Sequence, residues 1–100
     1  MGYRSNIYIK TTTPLVASAI YTLIAAVEPN LFNQVGPTKL IGEYLKWYEV
    51  YSDVRTITKL LNLLDEDTFA MLAIGEDGTV HSELGNHSAV DLYTYTNVNW

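Results

Sequence analysis

His81 and His87 are the side chains best suited to moving protons or holding a metal in a 100-residue chain without cysteine. Ser88, Glu83 and Asp91 stand close to them in sequence, so a Ser-His-acid set can be written down. Such sets are defined by geometry, not by nearness along the chain, and neither a nucleophile elbow nor an HExxH pair is present. The reading is therefore a protein without catalytic residues, metal or cofactor. Glu76-Asp77 could meet a cation or an arginine of a partner. A calcium loop needs a longer alternating series of oxygen ligands, so the pair reads first as a turn. Lys46-Trp47-Tyr48-Glu49, followed by Tyr51, sets three aromatic rings within five residues. Trp and Tyr dominate protein interfaces. Strand alternation sends Trp47 and Tyr48 to opposite faces, so one can anchor a core while the other meets a partner. Tyr93 and Tyr95 alternate with threonines in a segment that suits an edge strand, where a second copy could pair.

Composition narrows the function classes. Hydrophobic residues make up 48% of the chain and charged residues 17%, which suits one folded domain spanning residues 1–100. Six Lys and Arg face eleven Asp and Glu, for a net charge of −5. The cations are scattered, which argues against direct nucleic-acid binding by counterion release. Asp65, Glu66, Asp67, Glu76, Asp77, Glu83 and Asp91 could instead gather into a stripe imitating a DNA backbone. The opening Met1-Gly2-Tyr3-Arg4-Ser5-Asn6 leads into a strand-like run and lacks the basic-then-apolar pattern of an export signal. The longest apolar stretch, 15–27, is too short to span a bilayer. No membrane association is expected.

These residues need elements to position them. Residues 6–12 alternate, with Ile7 and Ile9 opposite Tyr8 and Lys10, and predict a half-buried strand. Thr13-Pro14 predicts a helix start, and Val16, Ala19, Ile20, Leu23, Ile24 and Val27 form its apolar stripe, ending near Glu28 before Pro29. Residues 30–37 read as a connection pinned by Leu31 and Phe32. Residues 38–49 predict a strand with Leu40, Tyr44, Lys46 and Tyr48 on one face and Ile41, Leu45 and Trp47 on the other, with Gly42 marking a bulge or turn. Ser52 is the expected N-cap of a second helix carrying Val54, Ile57, Leu60, Leu61 and Leu64, closed by the acids at 65–67. Residues 68–74 are almost continuously apolar, as in a central strand covered on both faces. A Gly-Glu-Asp-Gly turn, a returning strand at 79–84 and a last strand at 90–98 follow. The order β-α-β-α-β-β-β predicts an α+β two-layer sandwich. One mostly antiparallel sheet of about five strands carries both helices on one face, leaving the other solvated or covered by a partner.

Three segments resemble a family of small proteins encoded by tailed bacteriophages: the opening MGYRS, the stretch LKWYEVYSDVRTITKLLNLL, and AIGEDGTVHSEL. Their order and spacing agree with the family over most of the chain. Residues 12–37 depart from its pattern, and the chain is less acidic after Gly78. The resemblance implies a phage accessory protein in the host cytoplasm, acting by binding and inhibiting a host defence or regulatory protein. It brings no catalytic residues. Two alternatives stay open beside it: a protein that sequesters a small molecule such as a nucleotide, and an acidic DNA mimic.

Overall fold

The computed structural model describes residues 4–47 and 51–86. Strands β1 (Ser5–Thr11), β2 (Asn33–Gly36), β3 (Lys39–Leu45), β4 (Phe69–Gly75) and β5 (Val80–Gly85) form one sheet in the order β2-β3-β1-β4-β5. Helix α1 (Pro14–Val27) links β1 to β2, and helix α2 (Ser52–Asn62) links β3 to β4. Every neighbouring pair is antiparallel. β1 through β4 thus make the split β-α-β arrangement of ferredoxin-like sheets, with β5 added outside β4. The fold class is the expected one, an α+β sheet with two helices.

Both helices cover the same face. Ile7, Ile9, Leu40, Phe69, Met71 and Ala73 of the sheet are buried with Ile20 and Ile24 of α1 and Val54, Ile57 and Leu61 of α2. On the opposite face the centre of the sheet is covered, as the continuous apolar run of residues 68–74 predicts. Ala70 and Leu72 point away from the helices, yet both are 0% exposed, with Tyr8, Ile74 and Val80 packed around them. This matches the apolar side chains that run on both faces of β4, because a strand apolar on both sides needs both sides out of water.

Helix α1 starts as its residues dictate. Thr13 is the N-cap, its hydroxyl oxygen accepting from the Val16 N–H at 3.3 Å, and Pro14 occupies the first turn. The buried stripe differs from the expected one: Ala17, Ile20 and Ile24 face the sheet, while Ala19 and Leu23 are exposed. A helix apolar nearly all round has no polar arc to set its phase, so periodicity alone could not choose its inner side. The N-cap of α2 is Tyr51, one residue before the serine expected there, and the helix ends at Asn62, short of the acids. Those acids build a separate short turn, in which the Asp65 carboxylate accepts from the Asp67 N–H at 3.0 Å.

Two further differences concern strands. Residues 33–36, expected as part of a connection, add to β3 as a short edge strand with a register shift. In β3, Leu40 and Leu45 were expected on opposite faces, yet both join the helix-side core. The pairing with β1 explains this: Ile7 opposes Gly42, but Ser5 opposes Leu45, so β3 holds one extra residue between them. One added residue flips every later side chain to the other face. Gly42 sits at this bulge, where a Cβ would lie 2.6 Å from Leu45 and 3.1 Å from the Phe32 ring. The last expected strand, 90–98, lies outside the described residues.

Candidate functional site

The antiparallel order brings the start of β1, the end of β3, the end of β4 and the start of α2 to one end of the sheet. The aromatic cluster and the Glu76-Asp77 turn therefore meet there, although some 25 residues separate them in sequence. Trp47 turns inward and is 8% exposed, its ring edge-to-face with Phe32 at 6.0 Å. Tyr51, at the N-cap of α2, keeps 40% of its surface in solvent. Between them opens a hollow of about 220 Å³ lined by Arg4, Leu31, Leu45, Lys46, Asp53 and Val54 as well as both rings. Its floor is apolar and its rim carries two cations and one acid.

A second hollow, of about 300 Å³, adjoins it along Arg4, Asn6, Ile74, Gly75 and Glu76. Arg4 lines both. Its backbone N–H donates to the Glu76 carboxylate at 2.6 Å, tying the start of β1 to the β4–β5 turn. Asp77 also acts locally, accepting from the Thr79 N–H at 3.0 Å. Both acids thus spend an oxygen inside the chain, as turn residues commonly do. Arg4 is the site residue that the amino-acid sequence does not single out. Its signal was its place in the MGYRS opening, where an isolated cation has no periodicity to mark it.

Of the acids weighed as a continuous stripe, two groups lie at opposite ends of the sheet, and Glu83 lies between them on β5, opposite Leu72. Asp65, Glu66 and Asp67 cluster near Thr11, where Asp67 accepts from Asn86 at 2.8 Å. Glu76 and Asp77 lie beyond the other end of β4, a strand of seven residues, or roughly 20 Å. His81 lies on β5, and its side chain is outside the described part of the structure. Tyr48, His87, Ser88, Asp91, Tyr93 and Tyr95 lie outside the described residues. Among those described, no group of three or more His, Asp or Glu could hold a metal ion. No helix among them is long and apolar enough to cross a membrane.

The architecture defines a class, a ferredoxin-like sheet with one added edge strand, and that class hosts many unrelated functions. Compared with known proteins, the chain matches no family model, no curated protein and no solved structure. Functional inference rests on the hollow itself.

Proposed function

We propose that this chain is a non-enzymatic phage accessory protein that binds a host defence or regulatory protein, and that the Trp47–Tyr51 hollow receives its partner. The observation that carries this reading is an exposed Tyr ring standing over an apolar floor, with Arg4 and Lys46 at its edge. Tyr, Trp and Arg are the residues that most often anchor protein interfaces, and they do so in small pockets of this kind. The sealed centre of the far sheet face moves the expected contact from that face to this end of the sheet.

A photo-crosslinking residue placed at Tyr51 tests the reading in lysate from the host bacterium, with Thr56, on the outer side of α2, as the control position. The expected result is a discrete crosslinked protein at position 51 that is absent at 56 and is lost on Arg4→Ala. Equal labelling at both positions would overturn the proposal. So would a thermal upshift of several degrees with a nucleotide, because a ligand that binds only the folded state raises its stability.

A further inference from the structure

The helix-free face hides more apolar surface than the sheet itself can cover. Ala70 and Leu72 point away from both helices and are 0% exposed. Side chains stand roughly perpendicular to a sheet, so neighbouring strands screen their flanks and leave their tips open. On the β5 side the screen is slight. Ala70 opposes Gly85, which has no side chain, and Leu72 opposes Glu83, and both of these β5 residues are exposed. On the β1 side Lys10 and Tyr8 stand opposite the pair, each half-buried. Tyr8, Ile74 and Val80 pack against Ala70 and Leu72, and all three rise from the same layer. Ala70, bare on its flank toward Gly85, needs a second layer to lose all contact with water.

We propose that residues 87–100 supply that layer, as a strap crossing β4 toward β1 on the face without helices. The burial belongs to a single chain, so the cover comes from the chain itself. Outside the described residues the sequence holds 1–3, 48–50 and 87–100, and only the last is longer than three residues. Its fourteen residues, extended, reach roughly 46 Å, against roughly 19 Å across five strands.

The point of departure suits this path. The Asn86 N–H donates to the carbonyls of Glu66 and Phe69 at 2.9 and 3.0 Å, which pins the chain beside Ala70 just before residue 87. Val90 and Leu92 are two positions apart, as are Ala70 and Leu72. That is the spacing of side chains sharing one face of an extended chain.

Charge favours the same route. Lys10 opposes Lys39 across β1 and β3. Both alternate with core residues, Ile9 and Leu40, and so stand on the helix-free face, where like charges side by side repel. Residues 87–100 carry one acid, Asp91, and no Lys or Arg, so laying them near this pair adds negative charge and no positive. With the strap in place the row Ile41–Tyr8–Leu72 is closed to other chains, which leaves the Trp47–Tyr51 end of the sheet as the open contact surface.

Thiol protection in the full chain tests this, because the parent has no cysteine. A thiol introduced by Leu72→Cys should react with the disulfide reagent DTNB roughly 100-fold more slowly than one introduced by Glu43→Cys, at an exposed position on β3. Adding Val90→Glu and Leu92→Glu should speed the reaction at 72 by about tenfold or more, while a thiol from Leu61→Cys, 1% exposed in the helix-side core, stays protected. Fast labelling at 72 without the added glutamates would overturn the proposal, because the face would then be open. A rate at 72 that the glutamates leave unchanged would overturn it too, because the cover would then be another segment. Equal acceleration at 61 and 72 would count against it as decisively, since residues 90 and 92 would then belong to the main core.

Discussion

Gly85 and Gly78 form a matched pair that separates backbone strain from steric collision. Both are left-handed, with φ of +77° and +81°. A Cβ at Gly78 would meet nothing within 4 Å. A Cβ at Gly85 would strike the carbonyl oxygen of Phe69 and approach its carbon at 2.9 Å and the Ala70 Cα at 3.0 Å. These are backbone atoms of an interior strand and cannot swing aside. Gly78→Ala should therefore cost only the left-handed penalty of about 1–2 kcal/mol. Gly85→Ala adds displacement of β5 from β4. It also weakens the Asn86 N–H bond, which is shared between the Glu66 and Phe69 carbonyls at 2.9 and 3.0 Å. An intramolecular hydrogen bond is worth about 0.5–1.5 kcal/mol net, so with the displacement of β5 the total should reach about 3 kcal/mol or more. For a domain of 100 residues each kcal/mol lowers Tm by about 4–5 °C. Thermal melts followed by circular dichroism should therefore show a fall of roughly 5–10 °C for Gly78→Ala and at least 12 °C for Gly85→Ala. Asparagine, which tolerates this φ, should restore most of the loss at 78 and none at 85. Losses for the two alanine variants within about 1 kcal/mol of each other would refute the reasoning.

The other predictions follow the same logic of contact and exposure. Gly42→Ala should destabilise by about 1–3 kcal/mol through overpacking against Phe32 and Leu45, and Leu45→Ala in the same chain should return part of it, as read from urea midpoints. Trp47→Ala should cost about 3–5 kcal/mol because its ring is buried against Phe32. Tyr51→Ala should cost about 1 kcal/mol or less, well under Trp47→Ala, since 40% of its surface stays in solvent, and the variant should fail to compete with the parent for the partner crosslinked at position 51. Thr13→Ala should remove the cap on α1 and cost about 1 kcal/mol, with Thr13→Ser recovering it.

Elements with a local cause were legible in the residues alone. The alternation of Ile7 and Ile9, the Thr13-Pro14 helix start, the stop before Pro29 and the glycine turn at 75–78 each depend on neighbours within a few positions. The apolar run of β4 signalled an interior strand, and Leu72, buried on the face without helices, agrees. Of the candidate site, the aromatic cluster was visible. Its partner Arg4 was not, because only antiparallel pairing carries the start of β1 to the end of β3.

Local chemistry decided which segments coil and which extend, since caps, breakers and side-chain period act over a turn or a pleat. Tertiary packing decided three things that no local rule could. It chose the inner side of an α1 without charged residues, leaving Leu15 and Leu23 in water. It placed one extra residue at Gly42, which put Leu40 and Leu45 on the same side. It gathered Arg4, Trp47, Tyr51 and Glu76 at one end of the sheet. Each outcome depends on register and phase between distant segments, and these are fixed only when the segments bury one another.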